Sequence, residues 1–225
     1  MQSSVDAVLF DIDDTLCSYR RSGGEILPLA FEQAGIDPFF TVEEFLDRYR
    51  EFAAKSEDMR DLRERCFATF ATECDYDPEA GRAVARAYES ERNHANVRLC
   101  PGAKETLAML DSEVSLAAVT NGAPEMQSVK LDALGFDDVF ETVVHAGYDT
   151  APKPDPDPFY AALDHLDVAP ERALHVGNSL ASDIAGGRRA GVQTAWIHGD
   201  SDPAEADPQP DYTLSTVGEL RSLWE

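Results

Sequence analysis

Lysine is scarce in this chain of 225 residues. Only Lys55, Lys104, Lys130 and Lys153 occur, and the other fifteen of its 19 basic residues are arginines. Against them stand 43 acidic residues, for a formal net charge of -24. A surface of that sign repels nucleic acid and anionic membranes, so neither is expected as a partner. Cysteine is scarce as well. Cys17, Cys66, Cys74 and Cys100 form no CxxC pair and show no metal-ligand spacing, which argues against a zinc site and for free thiols in a reducing compartment. No apolar run approaches the ~18 residues that a membrane helix needs. No charged-then-apolar leader precedes the first apolar block, so a cytoplasmic, soluble protein is expected.

What is present is periodic. Hydrophobic residues make up 43% of the chain and fall in blocks, which a disordered acidic chain lacks. Acid-rich, lysine-poor composition is similar to that of proteins from salt-in halophiles, where molar salt screens the self-repulsion.

From Pro101 onward, apolar strands and short helices alternate. Strands are expected over Val114–Thr120, Val139–Val144, Ala173–Val176 and Gln193–Ile197, with an edge strand at Tyr212–Leu214. Helices are expected over Pro101–Leu110, Pro124–Leu134, Pro156–Leu166, Ala181–Ala190 and Val217–Leu223. Gly135 and Gly191 stand at two of the helix ends. With a first strand over Val5–Phe10, this is the pattern of an α/β fold, a Rossmann-like parallel sheet with helices on both faces. The stretch between is different and shows no convincing strand. Thr41-Val42-Glu43-Glu44 has the form of a capping box, and Asp77-Pro78 reads as an N-cap followed by proline at the first helical position. Phe45, Tyr49 and Phe52, then Leu62, Cys66, Phe67 and Phe70, then Val84, Ala87 and Tyr88 form stripes at helical spacing, as in a helix-bundle core. The expected organisation is therefore an α/β domain over 1–16 and 99–225, interrupted by an all-helical cap domain over 17–98.

The first strand ends abruptly in Asp11-Ile12-Asp13-Asp14-Thr15. Buried strands do not hold charge easily, so the acids belong just past its C-terminal end. Residues two apart on an extended chain face the same way, so Asp11 and Asp13 point into one site. Carboxylates that close tolerate each other only with a proton, a cation or strong hydrogen bonds. Ligands of open α/β sheets bind beyond the C-terminal strand ends, and polar groups stand at each of those ends here. The second strand delivers Thr120-Asn121-Gly122. Lys153 follows the third, in a proline-rich turn. Gly177-Asn178-Ser179, leading to Asp183, follows the fourth.

In these motifs the chain resembles the haloacid-dehalogenase-superfamily hydrolases of the phosphatase kind, with a helical cap inserted after the first motif. Asp11-Ile12-Asp13-Asp14-Thr15 matches DxDxT, Thr120 the second motif, Lys153 the third, and Gly177 to Asp183 the acidic fourth. The resemblance implies a Mg²⁺-dependent phosphomonoester hydrolase acting on a small phosphorylated metabolite, as a monomer or homodimer. It implies that Asp11 is the nucleophile and Asp13 the acid and base. Lys153 and Thr120 would stabilise the phosphoryl group, helped by the Asn121–Gly122 loop. Asp11, the Asp13 backbone carbonyl and Asp183 would hold Mg²⁺, with Asn178 at the position where many relatives carry an acid. Arg20, beside Tyr19 and Arg21, is a candidate for the substrate's second anionic group. His175, inside an apolar strand, reads as a structural histidine. The alternatives are a 2-haloacid dehalogenase, whose departing halide would leave Asp13 without a task, a phosphomutase, and a non-catalytic phosphate-binding domain.

The composition alone generates one expectation. With so many unscreened acids, the melting temperature should rise as KCl is raised from millimolar to molar. A melting temperature indifferent to KCl would contradict the halophilic reading.

Overall fold

The computed structural model describes residues 5–53, 56 and 59–224. The side chains of residues 49, 50 and 53 lie outside that description, and so does the packing expected of Tyr49. Along the chain come β1 (Ala7–Phe10), β2 (Cys17–Tyr19), α1 (Gly23–Ala34), α2 (Val42–Ala53), α3 (Met59–Glu73), α4 (Pro78–Glu91) and β3 (Val97–Leu99). They are followed by α5 (Ala103–Leu110), β4 (Ser115–Thr120), α6 (Pro124–Leu134), β5 (Thr142–His145), α7 (Asp157–Leu166), β6 (Ala173–Gly177), α8 (Ala185–Ala190), β7 (Gln193–Ile197) and β8 (Tyr212–Leu214). The chain divides into two compact units, Met1–Ser18 with Val97–Glu225, and Tyr19–Asn96.

The first unit is built on β1. Ala7, Val8, Leu9 and Phe10 are all wholly buried, as a strand covered on both faces requires. Ala7 and Leu9 pack with Phe159, Ala162 and Leu163 of α7, and Val8 and Phe10 point to the opposite face. The six strands run parallel in the order β5-β4-β1-β6-β7-β8. The chain thus adds strands on one side of β1, then returns and continues on the other. That reversal opens a crevice at the C-terminal end of β1. Phe10 pairs with Ala118 of β4 and Val176 of β6. The Asp11 N–H still donates to the Val176 carbonyl at 2.9 Å, so the first residue past the strand has a fixed backbone.

Local details depart from the sequence pattern in four places. The 17–99 stretch carries two short strands after all, β2 and β3, which pair with each other. Three mixed residues each, Cys17-Ser18-Tyr19 and Val97-Arg98-Leu99, are too few to show alternation. β5 starts at Thr142, because Asp137 to Val139 form a turn after the Gly135 helix stop. The helix expected from Ala181 opens as a π turn over Leu180–Ile184, with the Ser179 hydroxyl accepting the Ser182 N–H and the Asp183 carboxylate accepting the Ser179 N–H. The last helix, Val217–Leu223, is 3₁₀.

The second unit is helical. Ser22 and Glu25 form a capping box at the start of α1, and Thr41 and Glu44 exchange the same pair of bonds before α2. Asp77 caps α4, with Pro78 in its first turn. The aromatic stripes close into one core, in which the Phe40 ring lies 4.5 Å from Phe67 and 4.7 Å from Phe70, centroid to centroid. α3 and α4 approach so closely at Gly81 that a Cβ there would lie 2.1 Å from the Phe67 carbonyl oxygen. Gly81→Ala must therefore push two helix backbones apart, against a rigid partner. Overpacking of this kind costs about 1–3 kcal/mol, and a urea midpoint lowered to match checks it. An unchanged midpoint would show that the crossing is looser than described.

Candidate active site

A buried lysine gathers the strand ends. Lys153 is 4% exposed, and its Nζ donates to Asp11 Oδ1 at 2.8 Å, to Asp183 Oδ1 at 2.6 Å and to the Val119 carbonyl at 2.6 Å. An ammonium has three N–H bonds, and each has an acceptor. The loop that carries Lys153 is held by Asn121, whose amide donates to the Lys153 carbonyl at 3.1 Å and accepts the Lys153 N–H at 2.9 Å. The Asn121 side chain is thus engaged in placing Lys153, and any contact it makes to a ligand falls to its backbone.

The two carboxylates around Lys153 fare differently. Burial raises Asp11, and the repulsion of Asp183 adds to it. The Lys153 charge opposes both, and the result is a carboxyl pushed up to about 7. Burial also acts to raise Asp183, but the Lys153 charge and the hydrogen bond from His175 prevail, and its carboxyl stays well below the usual range. Asp183 is the better-held anion. Its Oδ1 lies 3.2 Å from His175 Nε2, and its Oδ2 accepts the Ser179 N–H at 2.9 Å. Gly177 makes room for it, since a Cβ there would sit 2.4 Å from the carboxyl carbon. Burial depresses the His175 imidazole, and its ring meets Phe159 edge-on at 4.8 Å. Read from sequence as structural, His175 braces Asp183.

A second cluster surrounds Asp13. Its Oδ1 accepts from Lys130 Nζ at 2.6 Å and its Oδ2 from Gln127 Nε2 at 2.8 Å. The same Nε2 lies 3.1 Å from Thr120 Oγ1, which also accepts the Gly122 N–H at 3.0 Å. A hydroxyl has two lone pairs and one proton. With both lone pairs engaged, Thr120 has its proton left to donate. The Gly122 N–H is directed at Thr120, and its missing Cβ leaves space for Gln127. Asp14, at φ 57°, turns the chain after β1 and donates its N–H to the Cys17 carbonyl. Thr15 Oγ1 stands 3.4 Å from Asp11 Oδ2. The Asn178 carbonyl accepts from the Trp196 indole at 2.9 Å.

The structure therefore brings Asp11, Lys153 and Asp183 together, and Asp13 with Thr120. Arg20 belongs to the helical unit, where it is exposed and donates its N–H to the Asn96 carbonyl. Gln127 and Lys130 were not singled out from sequence. The available signal was two polar residues three apart in α6, one of them among the four lysines.

No group of three or more His, Cys, Asp or Glu side chains suited to a metal occurs among the described residues. The donors that are present suit a hard ion. The Lys153 ammonium gathers the two carboxylates through Asp11 Oδ1 and Asp183 Oδ1, which leaves Asp11 Oδ2 off the ammonium, 3.4 Å from the Thr15 hydroxyl, and the donors beside it are oxygens, with no thiolate among them. That is a fitting set for Mg²⁺, which keeps several waters and takes one or two protein carboxylates.

The raised Asp11 has a consequence for stability. The folded protein binds a proton at Asp11 between its unfolded value of 3.8 and about 7, so stability falls as pH rises through that window. In EDTA, the fall between pH 4 and 7 should be shallower for Asp11→Asn than for the wild type. Parallel curves would show that Asp11 titrates normally.

A protein-family model described as a haloacid dehalogenase-like hydrolase matches residues 5–191. A phosphoserine phosphatase from Thermus thermophilus is 36% identical over 164 residues, covering 72% of this chain and 64% of that enzyme. A glyceraldehyde 3-phosphate phosphatase from Methanopyrus kandleri is 32% identical over 226 residues, covering 96% of this chain and 95% of that enzyme. The fold is shared with a Bacillus subtilis HAD-hydrolase whose crystal structure is bound to magnesium, at a TM-score of 0.75 and 23% identity over 98% of both chains.

Proposed function

This chain belongs to the haloacid dehalogenase-like hydrolase family, and from that premise we propose that it is a phosphomonoester hydrolase working through an aspartyl-phosphate. The observation that carries the reading is the buried Lys153 ammonium shared by Asp11 and Asp183 at the C-terminal end of the central strand. Such a charge suits phosphoryl transfer, where neutralisation and positioning matter more than covalent help.

In the first step an Asp11 carboxylate oxygen bonds to phosphorus while the bond from phosphorus to the ester oxygen breaks. Asp13 gives its proton to that departing oxygen, which leaves as an alcohol. In the second step Asp13, now a carboxylate, takes a proton from water as the water oxygen bonds to phosphorus. The bond from phosphorus to Asp11 breaks, which releases inorganic phosphate and restores both aspartates. Lys153 opposes the burial that raises Asp11 and faces the phosphoryl charge, and the Thr120 proton and the Asn121 backbone N–H hydrogen-bond its oxygens. Asp11, the Asp13 carbonyl and Asp183, with Asn178 from the same segment as Asp183, would hold Mg²⁺, which would supply further neutralisation of those oxygens.

A proton-donating Asp13 favours an ester oxygen as leaving group over a halide, which needs no proton. The substrate is a small phosphorylated metabolite, a class that includes phosphoserine and glyceraldehyde 3-phosphate, the esters for which the two relatives are named. The helical unit is assigned the role of a cap that selects it. No described helix is long and apolar enough to cross a membrane, in keeping with a substrate met in solution.

The test is hydrolysis of p-nitrophenyl phosphate in molar KCl, with Mg²⁺ and with EDTA. Turnover should require the metal, and Asp11→Asn should lower it by roughly a thousandfold or more while the protein stays folded. Full activity in Asp11→Asn would remove Asp11 from the reaction.

A further inference from the structure

The assigned chemistry leaves two buried polar side chains of α6 unused. Gln127 and Lys130 stand three residues apart, on one face of the helix, and are 0% and 1% exposed. Burial of an ammonium is costly unless its partner is well placed. Here the partner is Asp13, at 2.6 Å. Gln127 reaches the other Asp13 oxygen at 2.8 Å and the Thr120 hydroxyl at 3.1 Å with the same nitrogen. The amide faces that oxygen with Nε2, its donor end. In that orientation Gln127 Oε1 is buried without a hydrogen-bond partner among the described residues. The backbone is shaped for the same arrangement, since a Cβ at Gly122 would lie 1.8 Å from Nε2. A glycine, an orphaned carbonyl oxygen and a buried ammonium are all tolerated around one half-exposed carboxylate.

We propose that Gln127 and Lys130 are positioning residues that clamp both oxygens of Asp13 and tie them, through Gln127, to the Thr120 hydroxyl. The proton donor and the phosphoryl-binding hydroxyl are thereby held in one register. Each Asp13 oxygen keeps a second lone pair for the proton it transfers. The inference rests on the reading of Asp13 as proton donor in the proposed hydrolysis. A simple staple between α6 and the segment after β1 would explain the contacts equally well, but it predicts a different kinetic signature.

The experiment uses Lys130→Met and Gln127→Leu, each alone and combined with Asp13→Asn. Lys130→Gln is the second variant should Lys130→Met not fold. Initial rates are measured with Mg²⁺ on p-nitrophenyl phosphate, whose leaving group needs little protonation, and on glycerol 2-phosphate, whose alkoxide needs much. A loss of alignment should lower kcat/KM, which reports the leaving-group step, on the alkyl ester by about tenfold to a hundredfold, with only a small change in kcat/KM on the aryl ester, while kcat on both esters also carries the shared water-activating step of Asp13. In the Asp13→Asn background neither variant should slow the alkyl ester further. Urea midpoints of the same set read the contact without turnover, and the Asp13 and Lys130 substitutions should be non-additive there. Equal losses of kcat/KM on both esters, additional loss on top of Asp13→Asn, or additive midpoints would overturn the proposal. A wild type that hydrolyses neither ester would instead bring down the phosphatase reading, and the positioning role with it.

Discussion

The Lys153 ammonium is the interaction on which the rest of the site depends. Two carboxylates, Asp11 and Asp183, are buried beside it, and neither would stay ionised in that setting without an opposing charge. The fold supplies the charge from a third strand end, through a loop that Asn121 fastens by two hydrogen bonds. One ammonium cannot serve two anions equally. Asp183, with a histidine and a backbone N–H in addition, is held as the anion, while Asp11 is left raised to about 7. The asymmetry gives the two acids different duties. Asp183 is a fixed structural charge, and Asp11 is a carboxylate whose charge awaits further compensation, as a bound cation would supply.

Around Asp13 the same logic is repeated with different parts. Lys130 and Gln127 take the place of Lys153 and His175, and the carboxylate they hold remains open to solvent on its other side, at 39% side-chain exposure. Lys130 and Lys153 are therefore buried, each against a motif aspartate, while the exposed basic residues among those described are mostly arginine. At both places a compact ammonium, a single point charge, fits among carboxylates.

How much of this was legible in the sequence depends on the range of the signal. The parallel sheet was, because β1, β4, β6 and β7 are apolar runs separated by helices with glycine stops. Asp11 and Asp13 were, because they follow the β1 run directly, and so were Thr120, Lys153 and Asp183, because they stand at the end of a later strand or in the segment after one, and strand ends of a parallel sheet converge. Gln127 and Lys130 were not, since their partner Asp13 lies more than a hundred residues away and helix periodicity says which face is buried, not what polar group waits there. His175 looked inert because its contact to Asp183 forms only when the π turn folds Asp183 back beneath Gly177. The pair β2 and β3 was lost for want of length, three residues each.

The account stands or falls on Asp11 as the atom that takes the phosphoryl group. The direct measurement is peptide mapping of the protein acid-quenched during turnover of p-nitrophenyl phosphate. Phosphate carried on the peptide at Asp11, and absent from the Asp11→Asn variant, is the predicted result. Phosphate found on another residue, or none trapped at any quench time while the ester is being hydrolysed, would contradict it.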